Sequence, residues 1–590
     1  MSTPFAMLEP PAEADDFRAA GHWKNRLLID YLDDAVRAHP DRVANIDTGG
    51  SRTYRELGRL VDDVAAGLLD LGVAAGDTVS IQLPNRHEWI VAHLAAQRVG
   101  AVTNPLVPIF RDREIGYMAA RARTRVVFVP AEHRKFDHVA MIERLRGDLP
   151  ELTHCVVLGE TADRPGFLTW DALAERGRAR GITADEVAAR RPDPDDLALI
   201  MFTSGTTGSP KGVMHAHNTV LAGSLPWPDR LGMDETAVIH MASTFSHLTG
   251  YLYGVALPLM LGATGVFQEV WNAAEFLRLV EEHGIQHTSG ATPFLQDLLD
   301  ADGLGEHDTS SLARFCCMGA PIPGAVLRRA KEVLPGLSVF GGWGQTECCL
   351  VTMGSPGDPE EKILGSEGRP LPGMDLRIVD LTGQPTPAGE EGRIQVRGAF
   401  LFRGYLEQLD ATRAELHDGW FDTGDLGTMD EDRYVGLAGR TKDIIIRGGE
   451  NIPVAYVENI IYEHPRITGV ALVAVPHPRL QEIGGVVVQL RDADPFTLED
   501  LRHFLEVKGL AKPYWPEVLK VVEDFPRTAS GKIQKFKIRQ DLADETARLA
   551  AGGPVESTAT DSVSIDSGPI DSAPIDSAPI DSTAPQEATP

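Results

Sequence analysis

A run of small hydroxyl residues and glycines stands at positions 203–213, with the sequence TSGTTGSPKGV. It directly follows the apolar stretch ALIMF, which is typical of a buried strand. Backbone N–H groups and hydroxyls in such a turn can converge on phosphate oxygens, and Lys211 can add a positive charge. The run does not match the Walker pattern G-x-x-x-x-G-K-[ST], because Gly212 follows the lysine. It predicts a phosphate-binding loop, with an ordinary turn as the alternative.

Four further motifs follow that loop in a fixed order. They are GWGQTE at 342–347, WFDTGD at 420–425, GRTKD at 439–443 with RGGENI at 447–452, and PRTASGKI at 526–533. Together with the loop, they resemble the ordered motifs of the adenylate-forming superfamily. That superfamily includes acyl-CoA synthetases, luciferases and the adenylation domains of nonribosomal peptide synthesis. The resemblance covers roughly residues 25–545, and five ordered matches make coincidence negligible.

The resemblance implies an ATP-dependent carboxylic acid:CoA ligase that forms an acyl-adenylate and releases AMP and pyrophosphate. ATP, Mg²⁺ and CoA would be its cofactor and co-substrates, and its partner a small carboxylic acid. The wording KDIIIRGGENI at 442–452 looks most like ligases for short- or medium-chain, alicyclic or aromatic acids. One alternative loads the acyl group onto the phosphopantetheine of a carrier protein. A second, from another class, is an inactive scaffold that binds partners through its tail, and luciferase-like oxidation is more distant.

The same resemblance implies roles for individual side chains. Lys532 would carry the adenylation step, because a positioned ammonium can stabilise the charge that develops when a carboxylate meets the α-phosphate. Thr206 and Glu347 would also be catalytic, and Glu347 would bind Mg²⁺. Trp343 takes the motif's usual tyrosine position, from which it would stack on adenine. The implied ATP- and AMP-binding residues are Thr203, Ser204, Gly205, Thr206, Thr207, Lys211, Trp343, Gly344, Gln345, Thr346, Asp425 and Arg440.

Other implied positions concern the acid, the hinge and CoA. His247 matches the mouth of the acyl pocket, with a buried structural histidine as the alternative. The small size of Gly319, Gly341 and Gly342 would leave space for an acyl group. Lys442 lies at the hinge between a large and a small domain, and Gly448 and Gly449 would leave room for the pantetheine arm.

The elements that must position these residues can be read from the apolar pattern. Runs of strand length at 77–83, 124–130 and 196–202 each precede a helical pattern, which predicts buried strands of a mixed or parallel sheet. From about residue 373, shorter alternating runs such as DLRIVDL and EGRIQVRG predict an antiparallel β unit.

A smaller α/β piece begins near Gly439. Its predicted strands lie at 470–476 and 485–491, and its helical stretches near 454–463 and 497–508. The predicted fold class is therefore α/β. A large N-terminal domain of mixed α/β subdomains plus a β unit precedes a small, mobile α+β C-terminal domain.

These patterns divide the chain into four parts. We expect a loose leader at 1–25, a large AMP- and acyl-binding domain at 26–438, and a small mobile domain at 439–546. The last part, 547–590, repeats the unit PIDSA, holds seven acidic residues against Arg548, and is expected to be a disordered acidic tail.

Composition narrows the function classes further. The 590 residues are 43% apolar and 24% charged, which is typical of a globular protein. A formal charge of −29 argues against nucleic acid as a partner. The five cysteines form no C-x-x-C pair, which favours a reducing, cytoplasmic location and no structural metal. The charge-free stretch 236–268 contains helix breakers and polar groups, so we expect no membrane span. Oligomeric state stays open.

Overall fold

The structure is a computed structural model. It describes residues 4–160, 164–203, 210–319, 322–440, 445–447, 450–477, 480–528, 532–550 and 563–565. The first part of the chain alternates strands and helices up to residue 222. Its elements are α1 (Ala14–Ala19), α2 (Leu28–Ala38), β1 (Val43–Asp47), β2 (Gly50–Thr53), α3 (Tyr54–Asp70), β3 (Thr78–Ile81), α4 (His87–Arg98), β4 (Val102–Pro105), α5 (Asp112–Arg121), β5 (Thr124–Pro130), β6 (Glu132–His133), β7 (Phe136–Asp137), α6 (His138–Leu145), β8 (His154–Leu158), β9 (Phe167–Thr169), α7 (Trp170–Arg180), α8 (Ala184–Arg190), β10 (Leu197–Thr203), β11 (Lys211–Ala216) and α9 (His217–Ala222).

The second part, up to residue 370, repeats the same alternation. Its elements are α10 (Trp227–Leu231), β12 (Val238–Met241), α11 (Leu248–Gly250), α12 (Leu257–Leu261), β13 (Thr264–Phe267), α13 (Ala273–His283), β14 (His287–Gly290), α14 (Thr292–Leu299), β15 (Arg314–Met318), α15 (Gly324–Val333), β16 (Ser338–Gln345), β17 (Cys349–Met353), α16 (Glu360–Gly365) and β18 (Arg369–Pro370).

Two large sheets are built from these strands. One has the order β11-β10-β4-β3-β5-β8-β9 and is parallel except for the pair β10–β11. The other has the order β18-β17-β16-β15-β14-β12-β13-β1-β2, with a parallel centre from β16 to β1. Helix α4 is buried along most of its length and belongs to the core cluster that joins both sheets. Because ligands bind beyond the carboxyl ends of parallel strands, these ends are where the site is expected.

The third part is an antiparallel β unit. Strands β19 (Met374–Val379), β20 (Gly392–Gly398), β21 (Leu416–His417), β22 (Trp420–Met429) and β23 (Val435–Arg440) form one sheet, with α17 (Leu409–Glu415) beside it. The predicted runs DLRIVDL and EGRIQVRG become β19 and β20, which pair antiparallel. The sequence prediction of an antiparallel unit from about residue 373 is confirmed.

The fourth part is a small α+β unit around its own core cluster. Its elements are β24 (Ile445–Arg447), β25 (Glu450–Ile452), α18 (Val454–Tyr462), β26 (Ile467–His477), β27 (Gln481–Leu490), α19 (Leu498–Val507), β28 (Val518–Val522), α20 (Lys535–Ala550) and β29 (Val563–Ile565). Both predicted strands and both predicted helices of this unit are present, and the predicted fold class is confirmed.

The expectation of a loose leader at 1–25 is wrong for its described part. The indole N–H of Trp23 donates to the carbonyl of Ala399 at 2.9 Å, and the indole is 2% exposed. The backbone N–H of Leu8 donates to the carbonyl of Arg403, and the Arg403 Nε donates back to the carbonyl of Leu8, both at 2.8 Å. The leader is therefore fastened to the large domain by contacts with residues far along the chain.

The predicted tail departs from expectation in two short places. Helix α20 continues through residues 547–550, and β29 pairs antiparallel with β28, with Ile565 opposite Val518. The rest of the predicted tail lies outside the described residues. The domain bounds near 438 and 546 stay predictions. None of the helices within the described ranges has both the length and the apolar character needed to cross a membrane.

Candidate active site

The ends of the predicted phosphate loop lie side by side at the edge of a sheet. Thr203 ends β10 and Lys211 begins β11, and the two residues are paired in register. The Thr203 hydroxyl donates to the carbonyl of Lys211 at 3.4 Å. This pairing holds the two ends of the predicted phosphate loop together. The predicted contributions of Ser204, Gly205, Thr206 and Thr207 lie outside the described residues and stay predictions.

Lys211 is the first member of a chain of polar contacts that ends at Glu347. Its Nζ lies 2.9 Å from Glu415 Oε1 and 4.2 Å from the ring centroid of Tyr405. The Tyr405 hydroxyl lies 2.8 Å from Glu415 Oε2 and 3.0 Å from Glu347 Oε1. One hydroxyl proton can serve only one of these carboxyl groups at a time. Sequence analysis found Lys211 and Glu347 but missed Tyr405 and Glu415, which stand outside the recognised motifs.

Glu347 is a buried carboxyl group next to a second carboxyl group, that of Glu415. Burial, followed in effect by the neighbouring negative charge of Glu415, raises the pKa of Glu347 above its usual range. The described residues contain no cluster of three or more His, Cys, Asp and Glu that could hold a metal ion. Mg²⁺ bound through nucleotide phosphates needs only one or two protein carboxylates, so Glu347 fits that requirement.

A second polar cluster forms around Asp425, which is 5% exposed. Asp425 on β22 and Arg440 on β23 are paired in register, and Arg440 Nε lies 2.9 Å from Asp425 Oδ1. Trp343 Nε1 and Gln345 Nε2 donate to Asp425 Oδ2 at 2.8 and 3.0 Å. Gln345 Nε2 also donates to the carbonyl of Thr423 at 2.8 Å. The structure thus brings four sequence-predicted nucleotide-binding residues together and fixes the tryptophan ring through its indole nitrogen.

The two remaining predicted nucleotide-binding residues, Gly344 and Thr346, lie at the end of β16 and just after it. A Cβ built on Gly344 would come within 1.8 Å of the carbonyl oxygen of Cys349, so no larger residue fits there. The carbonyl of Thr346 accepts a hydrogen bond from the His215 ring at 2.7 Å. Both residues serve the backbone course of the motif that leads to Glu347.

Lys532 reaches into the large domain from the small one. Its backbone is held by Thr528, whose N–H donates to the Lys532 carbonyl at 2.7 Å and whose hydroxyl accepts from the Lys532 N–H at 3.1 Å. A Cβ built on Gly319 would lie 2.5 Å from Lys532 Cε and 3.4 Å from its Nζ. The ammonium group therefore lies directly beside the turn that follows β15.

The charge of Lys532 is perturbed by this position. Burial lowers its pKa to about 8, and the positive charge of Arg440 acts in the same direction. Asp425 and Glu347 oppose the shift, which places the ammonium in the field of both polar clusters. A lysine with a lowered pKa beside the predicted nucleotide-binding residues is typical of an active site.

His247 stands beside the same ammonium group. Burial lowers its pKa to about 4, and the positive charge of Lys532 adds to the effect. Its Nδ1 accepts a hydrogen bond from the backbone N–H of Thr249 at 3.4 Å, at the start of α11. The ring is therefore neutral near pH 7. The predicted role at the mouth of an acyl pocket stays a prediction.

The predicted pocket glycines lie at neighbouring strand ends, and a protein side chain approaches each of them closely. Gly341 and Gly342 on β16 pair with Cys317 and Met318 on β15. A Cβ on Gly341 would lie 2.2 Å from Glu367 Oε2, and one on Gly342 would lie 3.1 Å from Leu350 Cδ1. Their small size, like that of Gly319, accommodates a neighbouring protein side chain. The expectation that these glycines leave space for an acyl group stays a prediction.

The predicted hinge residue Lys442 and the predicted CoA-path residues Gly448 and Gly449 lie outside the described residues. Within the described part, the small and large domains meet through an ion pair. Arg491 Nη1 lies 3.6 Å from Asp300 Oδ1. Both side chains of this pair are exposed, and the pair is formed in the same orientation that carries Lys532 to Gly319.

Comparisons with known proteins agree with the geometry. Residues 32–406 match the family model of the AMP-binding enzyme, and residues 456–532 match that of the AMP-binding enzyme C-terminal domain. The first match alone covers more than half of the chain. The protein therefore belongs to the AMP-binding enzyme family, the adenylate-forming superfamily that the motifs predicted.

Among its relatives is a medium-chain fatty-acid–CoA ligase of Escherichia coli (strain K12), 35% identical over 89% of this chain and 92% of that protein. Another is the salicyl-AMP ligase / salicyl-S-ArCP synthetase of Mycobacterium tuberculosis (strain ATCC 25618 / H37Rv), 32% identical over 91% of this chain and 94% of that protein. Among solved structures, the anthranilate CoA ligase AuaEII in complex with anthranoyl-AMP is similar. It has a TM-score of 0.81 and 26% identity, and the match covers 90% of this chain and 98% of that one. The predicted family and architecture are confirmed.

Proposed function

We propose that this protein is an ATP-dependent carboxylic acid:CoA ligase that works through an acyl-adenylate. In the first half-reaction, a carboxylate oxygen attacks the α-phosphorus of ATP, and the bond from that phosphorus to the pyrophosphate oxygen breaks. In the second, the thiolate of CoA attacks the acyl carbonyl, and AMP leaves. The family membership and the CoA ligases among its relatives support this proposal.

The observation that carries the proposal is the position of Lys532. Its ammonium lies against Gly319 and feels the charges of Asp425 and Glu347. The approach of a carboxylate to an α-phosphate brings two anions together, and a buried ammonium between them stabilises the transition state more than the separated reactants. Thr206, which the resemblance implies as catalytic, would assist at the same phosphate.

The nucleotide would be held at its two ends by the two polar clusters. Asp425 and Arg440 offer acceptors and donors for the ribose, and Trp343 offers a flat face for adenine. The phosphate loop from Thr203 to Lys211 would hold the phosphates. Mg²⁺ on Glu347 would supply charge neutralisation for the departing pyrophosphate.

Lys211 must change its partner when ATP binds. Its ammonium is paired with Glu415, and a phosphate oxygen would have to replace that carboxylate. Glu415 keeps a second contact, with the Tyr405 hydroxyl, after Lys211 leaves. The single Tyr405 proton could then serve Glu415, which would leave Glu347 to bind the proposed Mg²⁺.

The second half-reaction requires the small domain to move. We infer that Lys442 is the hinge, as the motif resemblance implies. We also infer that Gly448 and Gly449 leave room for the pantetheine arm of CoA. Rotation would break the Arg491–Asp300 ion pair and withdraw Lys532. Gly449→Leu should then slow thioester formation more than adenylation, and an unchanged thioester rate would remove this glycine from the CoA path.

We propose that the acid is short- or medium-chain, alicyclic or aromatic. We also propose that the protein acts in the cytoplasm. The second candidate function is transfer to a carrier-protein phosphopantetheine. One relative is named a salicyl-S-ArCP synthetase, and for this reason a carrier protein is tested as the acceptor beside CoA. Both functions share the adenylation half-reaction and differ only in the thiol that follows.

The decisive experiment is a screen of carboxylic acids for pyrophosphate release, with ATP and Mg²⁺ present. Each active acid is then offered free CoA or a phosphopantetheinylated carrier protein, and the thioester is identified by mass spectrometry. We expect pyrophosphate release with at least one acid and a thioester with free CoA. Thioester on the carrier protein alone would favour the second candidate, and no release with any acid would refute both.

A further inference from the structure

A buried carboxyl group, that of Glu367, lies beside β16 in the short segment between α16 and β18. The residue is 6% exposed. Its backbone N–H donates to the carbonyl of Val435 at 2.8 Å, and the N–H of Val435 donates to the carbonyl of Gly368 at 3.0 Å. These two bonds fix the segment to β23, and therefore fix the direction in which the Glu367 side chain projects.

The Glu367 carboxyl has no partner among the residues that the structure describes. No described N–H or O–H group donates to it, and no described cation is paired with it. Burial alone raises its pKa to about 8, so at neutral pH most molecules carry a protonated carboxyl there. The carboxyl oxygens are not among the fully enclosed side-chain atoms that lack a partner, so the group is available to a ligand.

The carboxyl occupies the space that a side chain at position 341 would take. A Cβ on Gly341 would lie 2.2 Å from Glu367 Oε2 and 3.1 Å from its Cδ. Residues two apart on a strand project to the same face, so this space adjoins the face of β16 that carries Trp343. The Trp343 ring is fixed on that strand by its hydrogen bond to Asp425.

An adenine that stacks on Trp343 would need a polar partner for its edge. The Watson–Crick edge of adenine presents an exocyclic amino donor next to a ring-nitrogen acceptor, and proteins read such edges with paired acceptors and donors. A protonated carboxyl offers one of each, through its C=O and its O–H. We propose that Glu367 binds the Watson–Crick edge of the adenine of ATP and so selects adenine nucleotides. This inference rests on the proposed function, which assigns the adenine to Trp343.

Nucleotide binding alone tests the inference. Isothermal titration calorimetry would compare ATP with purine riboside 5′-triphosphate, which lacks the amino group, on the full-length protein. We expect the wild type to bind ATP roughly 10- to 100-fold more tightly than the analogue. Glu367→Leu should bind the two nucleotides equally, while Glu367→Gln should keep the preference, because an amide also has one acceptor and a donor. Glu361→Gln, which changes an exposed carboxyl on α16, is the matched control.

Two further measurements serve as controls for this binding experiment. Thermal unfolding checks that each variant is folded. Gly341→Ala keeps the carboxyl but displaces it, and should lose the preference as Glu367→Leu does. A wild type without a preference for ATP, or a preference that survives in both variants, would overturn the inference.

A donor group on the acid is the other possible source of a hydrogen bond to Glu367. Pairs of acids that differ by one amino or hydroxyl group separate the two sources. If Glu367→Leu changes only the choice between such acids and keeps the preference for ATP, the adenine assignment is overturned. Calorimetry with nucleotide needs neither acid nor CoA. Failure of pyrophosphate release with every acid would therefore contradict the proposed function without affecting this result.

Discussion

Replacement of Lys532 by alanine should separate the two half-reactions. The ammonium is largely buried beside Gly319 and near Arg440, Asp425 and Glu347, so water cannot substitute for it at full strength. Loss of one preorganised electrostatic contact of this kind costs about 10²–10³ in rate, or about 3–4 kcal/mol. We therefore expect Lys532→Ala to lower acid-dependent pyrophosphate release by at least about a hundredfold. Lys532→Arg should not restore it, because the larger head group has no room against Gly319.

The same variant should leave the second half-reaction nearly intact. Chemically prepared acyl-adenylate is supplied with CoA, and the thioester is followed by chromatography. Since Lys532 is withdrawn for this step in the proposed mechanism, the rate should stay within about twofold to threefold of the wild type. Lys508→Ala removes an exposed lysine that pairs with Glu463 on the same domain, and should change neither half. Equal losses in both halves would refute the alternation of roles.

The pH dependence gives an independent check on the same group. The lysine must be charged to stabilise the transition state, and its lowered pKa of about 8 means that the charge is lost as the pH rises through that value. The profile of kcat/KM for ATP reports the free enzyme, so it should fall above pH 8. Lys532→Ala should lack this fall. A wild-type profile that stays level to pH 10 would contradict the assignment.

The remaining predictions concern three other contacts. Gly319→Ala should lower adenylation by at least about tenfold, because its Cβ would lie 2.5 Å from Lys532 Cε and the glycine has a φ of +98°; an unchanged rate of pyrophosphate release would contradict the contact. Glu415→Gln should lower the KM for ATP by up to about fivefold, since it frees Lys211 from its ion pair; a raised KM would instead give Glu415 a direct part in binding. Trp23→Ala should lower the free energy of unfolding by about 3–5 kcal/mol, measured by urea denaturation, whereas a change below 1 kcal/mol would show that the leader is dispensable.

Much of the architecture could be predicted because local pattern and tertiary structure agree. The run TRVVFVP was predicted as a strand at 124–130, and the structure has a buried strand over the same residues. A short run rich in valine and bounded by polar residues is typical of a strand buried on both faces of a parallel sheet, and its length favours a strand over a helix. The alternating runs of β19 and β20 specify their pairing in the same way.

The leader could not be predicted from its own residues. Trp23 follows a polar stretch rich in proline and acid, and no apolar periodicity surrounds it. Its indole donates to the Ala399 carbonyl, 376 positions along the chain. Contacts over such separations leave no local pattern, and only the tertiary fold reveals them.

The candidate site shows the same division between residues within motifs and residues outside them. Asp425, Arg440 and Trp343 lie in motifs whose order is recognisable, and the structure brings them together. Glu415 and Glu367 stand outside the motifs, in polar helical or turn sequences where a carboxylate is usually solvated. Their importance depends on what the fold places opposite them, which is the Lys211 ammonium in one case and the bare Gly341 backbone in the other.

The short strand β29 has a practical consequence for anyone who trims this enzyme. It covers the outer side of β28, whose backbone N–H and C=O groups would otherwise form an open sheet margin. Exposed sheet edges pair with strands of other molecules and promote aggregation. A protein truncated after residue 550 would keep every residue proposed to take part in catalysis. It should nevertheless self-associate at high concentration. Poor behaviour of such a shortened protein on a sizing column would then reflect a lost cover strand and would say nothing about catalysis.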